Sequence, residues 1–337
     1  MGHRHNVRRG PLATLRDAAR AQAVSVLTRV ATGCGTPPAE RERVLGEVRL
    51  GGFRGALRAS LARAWLGPRA AVLAPAMGDR FRVLVRGDDH GPGAEILRSG
   101  VWEPHVAALW PKLVHPGSTV VDVGANVGFH ALHAAVLAGP AGRVVAVEPD
   151  PDNARLLRQS CSLLSGAAPV DVVEAALSDR NGTVTLSDLG NVGNSGARFT
   201  HPNAEALHPL VHGPAPAFTT VAAVRWDDRF GAVPIDLLKI DVEGSEPLVL
   251  RGMSVSVERH RPAVVTEFSP ANIEGLAGVS GDEYLRWFLD RGFRGWIIRE
   301  ASGALDPLPG PAWRPRDQHA DLLFLPADRL PGWVEAR

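Results

Sequence analysis

From residue 119 to residue 325 the chain alternates between short apolar runs rich in β-branched residues and longer stretches with apolar positions at helical spacing. The pattern predicts strands at 119–123, 143–147, 170–177, 235–240, 262–267, 294–298 and 320–325, and helices at 128–138, 151–165, 245–252 and 281–291. The strand runs are apolar at consecutive positions, which implies a parallel sheet covered by helices on both faces. Upstream, Phe81–Arg86 alternates with period two like a half-buried strand, and a helix-like stretch runs over roughly 101–114. Residues 11–31 and 39–66 read as Ala/Leu/Arg helices, split by the breaker Gly33-Cys34-Gly35-Thr36-Pro37-Pro38. Between 178 and 225 the alternation stops. Thr183–Leu186 reads as a short edge strand, and Asp188–Pro216 as a loop long enough to have a function. Its Gly190, Gly193 and Gly196 suit a lid that closes over a substrate.

Composition changes this picture mainly at the N-terminal end. The 337 residues accommodate one large α/β domain with an appended segment. We divide them into an Arg-rich helical extension, 1–80, and a main domain, 81–337. Residues 1–70 hold 13 Arg, no Lys and four acids, a local net charge of +9 in a chain whose total is +1. Aromatic residues barely interleave with this basic segment (Phe53 and Trp65), so nucleic acid is not the expected partner. A cap over the active site or a homodimer contact suits these helices better. Two cysteines, Cys34 and Cys161, exclude a multi-bridge disulfide framework, and no Cys/His cluster suggests zinc. The sequence has neither a signal-peptide core nor an uninterrupted apolar run long enough to span a membrane, so a cytoplasmic location away from membranes is expected.

Candidate chemistry lies at two strand ends. Thr119–Val123 runs into Gly124-Ala125-Asn126-Val127-Gly128, a strand entering a helix through a glycine turn. Such a turn is expected to present backbone N–H groups and the positive helix end to a ligand at the carboxyl edge of the sheet. A dinucleotide fingerprint would have a second glycine where Asn126 stands, which points to a nucleoside ligand without a pyrophosphate. A plain tight turn would use the same glycines. Glu148 ends the next strand 24 residues beyond Gly124 and is placed to accept both hydroxyls of a ribose, or else is a solvated strand-end acid. In the segment Ile235–Glu246, strand alternation puts Lys239, Asp241 and Glu243 on one side. Two carboxylates at a strand end are candidates for shifted pKa values, or for capping the helix that starts at Ser245.

These segments resemble the FkbM-type methyltransferases, a branch of the class I S-adenosylmethionine-dependent enzymes. The matching pieces are W-E-P (102–104), V-D-V-G-A-N-V-G-F-H (121–130), V-E-P-D (147–150), A-L-S-D (176–179), L-L-K-I-D-V-E-G-S-E (237–246) and T-E-F (266–268). The resemblance implies a Rossmann-like, seven-stranded, mostly parallel sheet in the order 3-2-1-4-5-7-6, with 321–325 as the antiparallel seventh strand. It implies that Gly124, Ala125, Asn126 and Gly128 wrap the methionine part of S-adenosyl-L-methionine and that Glu148 holds the ribose. Leu177 and Ser178 would border the adenine, Glu103 would reach the cofactor, and Asp241 would lie beside the methyl group. Asp122, Phe129 and Pro149 complete the expected cofactor site.

The activity that follows is O-methylation of a hydroxyl on a small-molecule acceptor, a natural product or sugar. Methylation of an amine or peptide carboxylate is the alternative within enzymes. The rivals from other classes are a nicotinamide-dependent oxidoreductase and a non-catalytic nucleoside-binding protein. A hydroxyl acceptor needs a base. Glu243 is the first choice and Asp241 the second, with His130 and Glu267 as further candidates. No metal is expected, because Asp241, Glu243 and at most Glu267 make a thin oxygen ligand set.

Overall fold

The computed structural model describes residues 71–87, 89–188, 194–201 and 217–335 of the chain. The helices expected at 11–31 and 39–66 lie outside these residues. The described chain opens with an antiparallel hairpin of β1 (Ala71–Ala76) and β2 (Phe81–Arg86). Val72, Ala74 and Ala76 are buried at alternate positions, the period of a strand, so 71–80 belong to this hairpin and not to a helical extension. Next comes α1 (Pro92–Ser99), hidden in the sequence by the turn-like Pro92-Gly93. The helix expected over 101–114 is instead two single turns, α2 (Pro104–Ala107) and α3 (Trp110–Leu113). Pro104 and Pro111 both sit in first turns, where a missing N–H costs nothing; Pro111 would break a continuous helix.

The strands β3 (Thr119–Val123), β4 (Arg143–Val147) and β5 (Val170–Val173) then form parallel βαβ units through α4 (Phe129–Ala138) and α5 (Pro151–Cys161). Every residue of β3 is buried, as its continuous apolar run requires. The Asp150 carboxylate caps α5 by accepting the N–H groups of Asp152 and Asn153.

The expected strand 170–177 breaks after Val173. Its last residues, β6 (Ala176–Leu177), join β7 (Gly182–Ser187), β8 (Phe199–His201) and β9 (Phe218–Val224) in a second sheet of order β6-β9-β7-β8. Strand β8 falls in the segment read as a loop, and β9 was not expected. Neither has the continuous apolar run of a central strand. Only Val221 and Ala223 of β9, and no residue of β8, are buried.

After α6 (Trp226–Arg229) come β10 (Leu237–Ile240), α7 (Glu246–Gly252), α8 (Ser254–His260), β11 (Ala263–Phe268), α9 (Pro270–Ala277), α10 (Gly281–Leu289), β12 (Phe293–Ile298), β13 (Leu305–Pro307) and β14 (Ala320–Pro326). The main sheet has eight strands, ordered β13-β12-β14-β11-β10-β3-β4-β5. This corrects the expected seven. The order 3-2-1-4-5-7-6 is present, and Leu305–Pro307 adds a short edge strand. As expected, β14 is antiparallel to both neighbours. One face of the sheet packs on Tyr284 and Phe288, and the other on Val106, Trp110, Ala131 and Ala135. The chain proceeds outward from β3 to β5 and resumes on the other side of β3 at β10. That reversal opens a crevice at the carboxyl ends of these strands, where ligands of such sheets bind.

Candidate active site

A cleft occupies this crevice. Its walls are Val123, Gly124 and Asn126 after β3; Val147, Glu148 and Pro149 at the end of β4; Ala175, Ala176 and Leu177; and Asp241, Val242 and Glu243 after β10. Thr200 of β8 and the residues Ser195, Gly196 and Arg198 just before that strand close it. Gly124 is required here. Its φ is +82°, and a Cβ on it would lie 1.8 Å from the Asp241 carbonyl oxygen, so the tips of β3 and β10 approach too closely for any side chain.

The glycine turn spends its N–H groups on the protein itself. Gly124 and Ala125 both donate to the Val147 carbonyl, at 2.9 and 3.0 Å, and Gly128 donates to the Ala125 carbonyl at 2.8 Å. The Asn126 N–H donates to Glu148 Oε2 at 2.8 Å, and the Val127 N–H to Asn126 Oδ1 at 2.6 Å. The N–H groups expected to face a ligand are therefore already used. A phosphate cradle needs them free. Glu148 is buried, and its oxygens each accept one backbone N–H, from Asn126 and from Asp150 at 2.9 Å. The Asn153 side chain adds a further hydrogen bond to the carboxylate. Burial pushes this carboxyl up to about 7.

At the end of β10, strand alternation stops at Ile240. Residues 241–245 form a turn in which Glu243 has a φ of +57°, so Lys239, Asp241 and Glu243 do not simply share one strand face. Lys239 is buried below the cleft with its Nζ 2.7 Å from Asp241 Oδ2 and 4.0 Å from Glu103 Oε2, and it faces Asp122 in register. Burial opposes its charge, but Asp241, Glu103 and Asp122 outweigh that and raise its pKa. Burial likewise opposes the charge of Glu103, yet Lys239 and then His130, 2.9 Å away, hold it down at about 2. Among the described residues neither oxygen of Asp122 has a hydrogen-bond partner, and burial raises its pKa.

Glu243 is pushed up to about 8, first by burial and then by the Asp241 and Glu246 carboxylates. Glu246 is fully buried, and its Oε1 accepts the N–H groups of Val242 at 3.1 Å and Gly244 at 3.2 Å. It thus shapes the turn that carries Glu243. Glu267 is raised well above the carboxylate range by burial and Asp241. It faces Asp321 across β11 and β14, and Asp321 in turn lies 2.6 Å from His105 Nε2.

Of the residues expected from the sequence, Gly124, Asn126, Glu148, Pro149, Leu177, Asp241 and Glu243 line the cleft. The others stand behind it. Ala125 packs in the core below the turn, Gly128 lies against Leu157, and Phe129 packs among Phe81, His130 and His133. Ser178 is buried with its N–H on the Val224 carbonyl. His130 holds Glu103 and meets Trp110 edge-on at 5.2 Å, away from the lining. Among the described residues no group of three or more His, Cys, Asp or Glu is arranged to hold a metal. Sequence reasoning missed Lys239 and Glu246 as parts of the site, and had 195–200 only as part of the lid expected over 188–216. Lys239 had a signal, since it is one of only two lysines among 37 basic residues.

The sequence profile of the Methyltransferase FkbM domain matches residues 122–294, just over half of the chain. No curated protein matches. Solved structures that are similar include a methyltransferase FkbM from Methylobacillus flagellatus, at 13% identity and a TM-score of 0.38. That match covers 68% of this chain and 52% of the other, so the chain spans about half the length of that protein. Fibrillarin from Aeropyrum pernix in complex with S-adenosyl-L-methionine matches at 13% identity over 65% of this chain and 73% of its own, with a TM-score of 0.34. An S-adenosylmethionine-dependent O-methyltransferase from Thermotoga maritima matches at 12% identity over 79% and 80%, with a TM-score of 0.37.

Proposed function

Because the chain belongs to the FkbM methyltransferase family, whose cofactor is S-adenosylmethionine, we propose that it methylates a hydroxyl oxygen of a small natural product or sugar, with Glu243 taking the hydroxyl proton. The cleft fits this cofactor. A turn without free N–H groups suits a nucleoside that carries no phosphate, and disfavours a nicotinamide dinucleotide. The Glu148 carboxylate in the cleft wall suits two vicinal hydroxyls, and Ala175, Ala176 and Leu177 offer an apolar wall for a flat base. The Asp241 carboxylate suits a cationic ligand. When bound, the cofactor supplies an electrophilic methyl group for in-line displacement.

The residues of the chain then have positioning and proton transfer to perform. Lys239 holds the Asp241 carboxylate in place at 2.7 Å. Glu246 fixes the 242–244 turn, and this turn presents Glu243 to the cleft. The observation that carries the reading is the carboxyl of Glu243, raised to about 8 in the cleft wall. A base with a pKa near the working pH takes a proton from a hydroxyl more effectively than an ordinary carboxylate. His130, committed to Glu103 and outside the lining, is less suited.

The test is the Glu243→Gln variant. It should bind S-adenosylmethionine like the parent and turn over about 10²-fold more slowly. The rising limb of the pH–rate profile should vanish with it. If Glu243→Gln turns over normally while His130→Ala is dead, the base is His130 instead.

A further inference from the structure

The segment 194–201, between β7 and β9, is fastened to the tips of three strands of the main sheet at once. At its near end Ser195, 1% exposed, donates its Oγ to Asp89 Oδ2 at 2.5 Å and its N–H to Asp89 Oδ1 at 3.1 Å. Asp89, 2% exposed, is itself locked by accepting the N–H groups of Gly91 and Gly93 at 2.9 and 2.8 Å. The Ser195 carbonyl accepts Asn126 Nδ2 at 2.9 Å, and the Ser195 Oγ lies 3.2 Å from Asn126 Oδ1. That joins the segment to the turn after β3. Arg198 Nε donates to Asp150 Oδ2 at 2.8 Å, beside the tip of β4. Thr200 Oγ1 lies 3.1 Å from Ser245 Oγ, and the Ser245 hydroxyl donates to the Thr200 carbonyl at 3.0 Å, beyond the tip of β10.

Four residues of this segment are also walls of the cleft. The segment therefore bridges the cleft from the β4 side to the β10 side, and Ser195 is its most heavily bonded point. Asn126 gains a second meaning here. The side chain standing where a dinucleotide fingerprint has glycine is the bracket on which the bridge is hung.

We propose that Asp89 and Ser195 are positioning residues of the cofactor site: they clamp residues 194–200 across the strand tips, so that cofactor release requires this clamp to open. The inference rests on the reading that S-adenosylmethionine occupies this cleft. Buried hydrogen bonds to an ionised carboxylate are stronger than neutral ones, so the Ser195–Asp89 pair is the step that opening must break. Asn126, Asp150 and Ser245 then guide the segment back on reclosure.

The experiment measures release of S-adenosylhomocysteine from the full chain by chase with unlabelled ligand, together with amide hydrogen exchange. In Ser195→Ala, release should quicken about tenfold, the effect of losing one charge-assisted hydrogen bond. Exchange at 194–200 should rise with it while β3 and β4 keep their protection. Asp89→Asn, which keeps the shape but loses an acceptor for the Ser195 hydroxyl, should shift both readouts the same way. Release and local exchange at wild-type values in both variants would overturn the clamp. Equal loss of protection in β3 and β4 would also overturn it, since the residues would then act on stability alone. Glu148→Ala separates the two ideas. If it leaves affinity unchanged, the cofactor does not sit in this cleft, and the clamp falls with that reading.

Discussion

Replacing Lys239 with Met leaves the Glu103, Asp122 and Asp241 carboxylates below the cleft without their shared cation. At 2.7 and 4.0 Å the two closest pairs have gross attractions of about 6 and about 4 kcal/mol at an effective dielectric constant near 20. Much of this is offset by desolvation of the ions, and breaking a buried pair costs about 3–5 kcal/mol net. A second route leads to a similar figure. Without Lys239 the least costly response of Glu103 is to take up a proton. From its ordinary pKa of 4.5 that costs about 3 kcal/mol at pH 7 and about 1 kcal/mol at pH 5. The sign follows from the folded pKa of about 2, which lies below 4.5. Glu103 thus contributes stability that is present above pH 4.5 and lost as pH falls toward 2. Urea unfolding of Lys239→Met followed by circular dichroism should show a loss of about 3–5 kcal/mol at pH 7, and a clearly smaller loss at pH 5. A change within about 1 kcal/mol at pH 7, or an equal loss at both pH values, would mean that Lys239 does not hold these carboxylates in their charged form.

Two other substitutions probe separate walls of the site. Glu148→Ala should weaken S-adenosylmethionine binding by about tenfold or more in calorimetry, since charge-assisted hydrogen bonds to the ribose are lost. Wild-type affinity should also rise as pH passes the carboxyl's value of about 7, with no such rise in the variant; an unchanged affinity contradicts the assignment. Glu246 has a folded pKa of about 7 against an ordinary 4.5. Its stabilising contribution is therefore present below pH 4.5 and lost as pH rises through 7, by about 3 kcal/mol at pH 8. Glu246→Gln keeps a carbonyl to accept the Val242 and Gly244 N–H groups, and its denaturation midpoint should fall less than that of the wild type between pH 5 and pH 8. Parallel trends would contradict the prediction.

The main sheet was legible because its strands are buried on both faces. Thr119–Val123 and Arg143–Val147 are written as continuous apolar runs, and their glycine turn and Glu148 mark the carboxyl edge. Where structure depends on contacts distant in sequence, the pattern is silent. β8 has no buried residue in its strand, so Phe199–His201 looks like loop. Its position comes from pairing with β7, from the bonds between its own Thr200 and Ser245, and from the bond to Asp150 made by its neighbour Arg198. Strand periodicity also misled at Glu243, where a left-handed φ turns the chain after Ile240. The turn at 124–128 was recognised by its glycines, but the partners of its N–H groups, Val147 and Glu148, appear only once β4 lies alongside β3. Glu246 looked like an ordinary helix start because the turn it holds precedes it.

The proposed reaction is transfer of a methyl group to an oxygen with Glu243 as base. Its most direct test is to incubate the protein with trideuteromethyl-labelled S-adenosylmethionine and candidate hydroxylated metabolites, and to locate the label in the product by mass-spectrometric fragmentation. A labelled methyl ether should form together with S-adenosylhomocysteine, about 10²-fold more slowly with Glu243→Gln. Label on nitrogen or on a carboxylate, or ether formation at the same rate in the variant, would contradict it.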